Sequence, residues 1–340
     1  MRSDPLPSAS PRPGRCPPRS EPPAPRTVGF VLVPGFALMS YAAAVEPLRA
    51  ANVLSGRPLY DWWHAAPGGG EARASNGLAI LTDVAVGAPV PGTERVFVCA
   101  GGNPAAFDDP ALSAWLRGLA RRGTSIGGIS GGPYILARAG LLEGRRCTLH
   151  WEHVPAFEAL YPGLDVVRSL FEIAGDRMTC SGGIAALDLM LSLIERDHGP
   201  ALARGVSDWF LHNQMREGLS PQRMDLRLRF GVRDPRLLRV LAAMEANLET
   251  PLPREALAGL AHVSARQLER LFHDHLGCGP HRHYLALRLD RAHQLRRETS
   301  LPASEIAAMT GFASADELSR AERRRARRAE DAPVGSAGED

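Results

Sequence analysis

Ser130 stands in Gly128-Ile129-Ser130-Gly131-Gly132, a G-x-S-x-G run between an apolar stretch (TSIGGIS, 124–130) and a helix-like one (GGPYILARAGLL). On a sharp strand-to-helix turn such a serine projects from the carboxyl edge of a sheet, where it could act as a nucleophile or hold a ligand. The amide of Gly131 and those of Gly101 or Gly102, at the end of ERVFVCAGG, could complete an anion-binding notch. His150, in CTLHW, follows a short predicted strand and could reach the same spot. The plainer alternative makes Ser130 a small capping residue on a glycine turn and His150 a packed histidine. Tyr60, Trp62, Trp63 and Trp151 flank the expected cleft. Aromatic faces attract a quaternary ammonium at roughly 0.5–2 kcal/mol each. Strict alternation in YDWW would nevertheless point Tyr60 and Trp62 one way and Trp63 the other, and core packing is the competing reading for each.

A second chemistry sits near the end of the chain. REALAGLAHVSARQLERLFHDHLG reads as two short helices, with apolar positions Leu257, Leu260 and Val263, then Leu268, Leu271 and Phe272. The break falls near 261–264, and Ser264 can cap the second helix. This is a helix-turn-helix pattern whose second helix exposes Arg266, Gln267 and Arg270. Arginine and glutamine can contact guanine and adenine edges bidentately. About 50 residues on, ASEIAAMTGFASADELSRAERRRARR repeats it, with Ser314 as the cap and Arg320 and Arg323 exposed. A long helix over 281–299 joins the two units. His273/His275 and His281/His283 have the wrong spacing for a shared helix face, so no metal site is expected.

The elements that must position these residues divide the chain in two. From residue 27, apolar strand-like runs (28–34, 94–102, 124–130) alternate with helical stretches, implying βαβ units and a parallel sheet covered by helices. MTCSGGIAALDLMLSLIERDHG repeats the strand–turn–helix pattern. From residue 201 on, the pattern is helical. The expected organisation is a Pro-rich disordered tail (1–26), a sensing domain (27–205), a polar linker (206–232), a DNA-binding domain (233–328) and a tail (329–340).

Composition narrows the function classes. Of the 340 residues, 44% are hydrophobic and 23% charged, a globular balance large enough for two domains. No apolar run reaches the ~18 residues of a membrane span. The N-terminus lacks an apolar h-region, and a cytoplasmic location is expected. The five cysteines are odd in number and scattered without CxxC spacing, so neither a disulfide framework nor a zinc site is indicated. All 40 basic residues are arginine, which discounts arginine-rich patches as functional signals by themselves.

The segments LAGLAHVSARQLERLFHDHLGCGP and YLALRLDRAHQLRRETSLPASEIAAMTGFASADELSR resemble the AraC/XylS DNA-binding domain over about residues 235–320. The chain departs from that family's usual aromatic-rich ending, reading LSRAERRRARRAEDAPVG instead. A weaker second unit that mainly contacts phosphates is therefore expected. GGISGGPYILARAGLLEGRRCTLHWE, VGFVLVPGFALMSYAAAVEPLRAAN and TCSGGIAALDLMLSLI resemble the PfpI/ThiJ superfamily. The implied fold is α/β: a parallel-sheet class I glutamine amidotransferase-like domain, followed by an all-α domain with two helix-turn-helix units. Catalytic members carry cysteine at the elbow; here the residue is Ser130, and GFALMS after the first strand has no acid. A hydroxyl without a well-placed base is a poor nucleophile. The combined resemblance is to amidotransferase-like AraC regulators that respond to carnitine, glycine betaine or arginine. It implies a non-enzymatic transcription regulator without a cofactor. Its partners would be double-stranded operator DNA, a small amine or zwitterionic effector, RNA polymerase and a second copy in a homodimer. The effector would touch Ser130, His150, Trp151, Gly101, Gly102, Gly131, Trp62, Trp63 and Tyr60. DNA would touch Ser264, Arg266, Gln267, Arg270, Ser314, Arg320 and Arg323. The alternative function is a serine hydrolase or amidase using Ser130.

Overall fold

The computed structural model describes residues 24–330. Of the tails expected over 1–26 and 329–340, residues 1–23 and 331–340 lie outside the described residues, whereas Arg26 already belongs to the first strand and 329–330 to the last helix. The first unit runs β1 (Arg26–Leu32), α1 (Leu38–Ser55), β2 (Tyr60–Ala66), β3 (Glu71–Arg73), β4 (Ala79–Leu81), β5 (Val84–Ala85) and β6 (Thr93–Ala100). It continues through α2 (Pro110–Arg121), β7 (Ser125–Ser130), α3 (Gly132–Arg138), β8 (Arg146–Cys147), α4 (Val154–Leu160) and β9 (Asp165–Val166). Strands β10 (Phe171–Ala174) and β11 (Arg177–Cys180) and helices α5 (Ala185–His198) and α6 (Pro200–Trp209) close it.

Seven strands form one sheet in the order β10-β11-β7-β6-β1-β2-β5. All neighbours run parallel except the edge strand β10, which is antiparallel to β11. In β1 the side chains divide between two cores as the pleat requires. Phe30 and Leu32 face the core shared with α1, α5 and α6, whereas Val31 faces the one shared with α2 and α3. Burial on both faces explains why these strands read as unbroken apolar runs.

The second unit is helical: α7 (Leu226–Phe230), α8 (Pro235–Ala246), α9 (Arg254–Leu260), α10 (Ala265–Leu276), α11 (Pro280–Glu298), α12 (Ala303–Met309) and α13 (Ala315–Glu330). Leu237, Leu241, Leu268 and Phe272 centre one core and Leu289, Ile306, Phe312 and Leu318 another. The second helix-turn-helix thus packs without the aromatics whose absence suggested a weak unit. Phe312 anchors it, with the Arg288 guanidinium 4.1 Å from its ring centre.

The expected polar linker over 206–232 is mostly built into the two domains. Helix α6 crosses the expected boundary at 205, with Val206 buried in the first core. The fully buried Asp188 carboxylate accepts from His212 Nε2 at 2.9 Å and from Arg216 Nη2 at 2.6 Å. Leu170 N donates to Gly218 O at 2.7 Å. Gln222 Nε2 donates to Thr148 Oγ1, Leu149 O and Ser169 O at 2.7–3.0 Å. From Leu226 onward the chain packs with the second unit instead. His212, Arg216 and Gln222 are polar because each satisfies a buried partner in the first domain.

At the amino edge of the sheet, Asp197 receives Arg95 bidentately at 2.6 and 2.7 Å and the Tyr60 hydroxyl at 2.9 Å. Burial opposes its ionisation, but the Arg95 hydrogen bonds and charge prevail and hold its carboxyl below the usual range. A carboxyl depressed in the folded state contributes stability that is present above its unfolded value near pH 4 and lost as pH falls further. Asp197→Asn should therefore lower stability by about 1.5–3 kcal/mol at pH 7 in urea melts, with the deficit shrinking below about pH 4.

Candidate effector site and nucleic-acid interface

Strand β7 delivers Ser130 to the carboxyl edge of the sheet, directly before α3. Ser130 has φ 61°, the left-handed backbone that a nucleophile elbow requires and that non-glycine residues rarely adopt. It is 6% exposed, and its hydroxyl hydrogen-bonds to none of the described residues. Gly182, at φ 87°, lies against it: a Cβ there would stand 2.6 Å from Ser130 Cβ and 2.9 Å from Ser40 Oγ. Ser40 Oγ accepts from Gly183 N at 2.6 Å. The site therefore gathers two hydroxyls, from α1 and β7, around the turn after β11. Ser40, Gly182 and Gly183 were not singled out in the sequence. The GG of TCSGG, following a strand and preceding a helix as in the Ser130 turn, was the available signal.

His150 does come to the elbow, through its backbone: His150 N donates to Ser130 O at 3.4 Å. Its Nδ1 accepts from Glu152 N at 3.4 Å and lies 3.8 Å from the Glu152 carboxylate. Gly102, at φ 63°, is exposed and its amide makes no bond within the described residues, so it can serve an incoming anion. Gly101 is pressed against the backbone of residues 35–37. The Gly131 amide is not available as expected, because it donates to Ala100 O at 3.0 Å.

None of the four aromatics lines the elbow. Tyr60 is buried at the opposite edge of the sheet, donating to Asp197. Trp62 packs against the core beneath α1, α5 and α6, while Trp63 lies in the other core and donates from Nε1 to Thr93 Oγ1 at 3.0 Å. The alternation read from YDWW holds, and core packing prevails over a cage. Trp151 faces the second unit, where the Arg223 guanidinium already stands 4.3 Å from its ring centre. Among the described residues no thiol of the first unit replaces the missing nucleophile. Cys99, Cys147 and Cys180 are buried, and burial pushes Cys147 and Cys180 up to about 12, far from a thiolate at neutral pH.

In the helical unit, Ser264 Oγ accepts from Gln267 N at 3.2 Å, and Gln267 Oε1 accepts from Ser264 N at 2.8 Å. This is a capping box, so Gln267 holds the start of α10 rather than standing free to read a base. Arg266 and Arg270 on the same helix are exposed and unpaired. In the repeat, Ser314 Oγ accepts from Glu317 N at 3.2 Å. Arg320, Arg323, Arg324 and Arg327 on α13 surround a shallow groove of about 220 Å³.

The comparisons with known proteins agree with this geometry. Residues 27–196 match the DJ-1/PfpI family and residues 257–329 a helix-turn-helix domain. The HTH-type transcriptional regulator GlxA of Rhizobium meliloti is 46% identical over 299 residues, spanning 87% of this chain and 92% of that protein. The HTH-type transcriptional regulator CdhR of Pseudomonas aeruginosa is 45% identical over 296 residues, 87% and 88% of the two chains. The chain belongs to these DJ-1/PfpI-type, AraC-like transcriptional regulators. Its first unit also matches the crystal structure of an AraC family transcriptional regulator from Pseudomonas putida, 26% identical with a TM-score of 0.51. That match covers 55% of this chain and 100% of the other. The regulator's helices include none long and apolar enough to cross a membrane among the described residues.

The capping box separates two roles on α10. Gln267→Ala should cost about 1 kcal/mol in thermal melts and leave the preferred DNA sequence unaltered. Arg270→Ala should relax selection at one base pair by about 1–3 kcal/mol in a binding assay across single-base variants.

Proposed function

We propose that this regulator binds operator DNA sequence-specifically through Arg266 and Arg270 on α10 and the arginine face of α13, under control of a small effector held at the Ser130 elbow. The carrying observation is the elbow itself. Its strained geometry is kept, yet among the described residues no base hydrogen-bonds to its hydroxyl and the nearby thiols are buried. Strain of about 1–3 kcal/mol is tolerated where a ligand site benefits from a fixed shape. Ser130, Ser40 and the Gly102 amide offer hydroxyls and a donor to a carboxylate. That pattern favours a carboxylate-bearing effector, and the family resemblance makes it one of the amine or amino-acid class. A quaternary ammonium would lack an aromatic cage here. The same hydroxyl without a base argues against the hydrolase alternative and for binding without turnover.

The regulator acts as an activator in contact with RNA polymerase, in the cytoplasm and as a homodimer; these assignments rest on the family resemblance. L-Arginine, whose charged groups need no aromatic cage, is the first probe for a thermal-shift screen of the full chain, with glycine betaine and carnitine as the quaternary ammonium comparisons. The expected result is a shift equivalent to about 2.7 kcal/mol at a hundredfold excess over Kd, abolished by a bulky Ser130→Phe. Absence of a shift with these and other small amines would remove the effector reading, and hydrolysis of an ester or amide lost in Ser130→Ala would replace it.

DNA affinity should fall steeply with salt. Arg323→Ala should weaken binding about equally for all sequences and reduce the slope of log K against log salt by about 1.

A further inference from the structure

One loop touches the elbow, the strap between the domains and the helix that joins the two DNA-reading units. At its start, His150 N donates to Ser130 O. Just beneath, Leu149 O and Thr148 Oγ1 are held by Gln222, and the next residue, Trp151, stacks under Arg223. Two residues past the elbow contact, Glu152 O accepts from Gln294 Nε2 at 2.7 Å and from Arg291 Nη1 at 3.3 Å, both on α11. The Glu152 carboxylate lies 3.8 Å from Arg297. Ala156, at the start of α4, is 1% exposed because it packs into the same core as Leu289, Ala292 and Leu295 of α11.

Helix α11 in turn holds the second reading helix. Arg325 of α13 pairs with Asp290 at 2.6 Å, and Arg296 pairs with Glu322 of α13 at 2.8 Å. Arg288 donates to Thr310 O and Gly311 O in the second turn. Through Tyr284 and Leu287 the same helix packs into the core of α10, so a displacement of α11 carries both reading helices with it. A cavity of about 630 Å³, lined by Trp151, Arg168, Arg223, Phe230 and Leu287, adjoins the loop on the side of the second unit. It leaves room for the loop to shift without crushing a packed core.

We propose that residues 148–156 are the relay of this regulator: occupation of the elbow changes the hold of Glu152 on Arg291 and Gln294 and so resets the placement of α11, with both reading helices, against the first domain. The proposal rests on the regulator reading above. Coupling of this kind is reciprocal, so DNA bound at the far end must alter the loop and the elbow even with no effector present. A demonstrated effect at both ends is what separates a relay from mere adjacency.

The test is amide hydrogen exchange on the full chain, free and saturated with a duplex selected by this chain from a random pool. In the wild type, DNA should change exchange at least threefold at amides in 148–156 and at Gly131 and Gly132. In Arg291→Ala/Gln294→Ala, at DNA concentrations that saturate it, the change at the elbow should disappear. If the double variant does not fold, Gln294→Met, which keeps the shape and removes the donor, gives the same readout. A wild-type loop unmoved by DNA, or an elbow response that survives the substitutions, overturns the relay while leaving the regulator intact. A wild-type chain that selects no DNA overturns the regulator reading and the relay with it.

Discussion

The close contact between strand β7, its neighbour β6 and the start of α3 is the constraint on which the site depends. There is no room for side chains along it. A Cβ on Gly132 would stand 2.0 Å from Val98 O, one on Gly128 2.7 Å from Pro133 N, and one on Gly127 2.4 Å from the Phe97 ring. With glycine at these positions the chain can reverse within two residues, and that tight reversal puts Ser130 in the left-handed region. The turn then offers Ser130 O to the His150 amide, so the glycines that place the Ser130 hydroxyl also fix where the next loop begins.

Two physical economies follow in the domain built around that turn. The sheet buries both faces, so its strands carry almost no chemistry, and function is confined to the carboxyl edge where backbone groups are left over. The amino edge carries the opposite assignment. There Tyr60, Arg95 and Asp197 form a satisfied polar cluster whose work is structural. The aromatic pair in YDWW belongs to this division too, with Trp62 and Trp63 supporting different cores.

The fold was legible because its signals are local and redundant. Apolar runs set the buried strands, glycines set the turns, and two capped helix pairs repeat at a fixed distance. Ser264 and Ser314 both cap as their positions suggest, and α11 spans the stretch expected of the joining helix. The site was legible only in part. Ser130, His150 and Gly102 lie on one turn or touch it, so neighbouring sequence places them. Ser40 on α1 and Gly182 in the turn after β11 reach it from distant parts of the chain, and nothing in their own surroundings marks that meeting. Polarity misled in one further place. Gln267 looked like a free reading residue because a capping side chain and a base-contacting one have the same chemistry, and 206–232 looked like a plain connector because docking residues such as His212, Arg216 and Gln222 are spelled with the same letters as solvated ones.

The docking of that connector has a mechanical meaning. Gln222 is fastened to the sensing domain and Leu226 to the helical one, leaving a span of only a few residues between the two anchorages. At roughly 3.5 Å of reach per residue, such a leash is little longer than a helix is wide. The helical unit is thus less a pendant module than a hinged plate. Such a plate can tilt but not roam, so how far its DNA-facing helices stand from the sensing domain is set by the fold itself rather than by a slack tether.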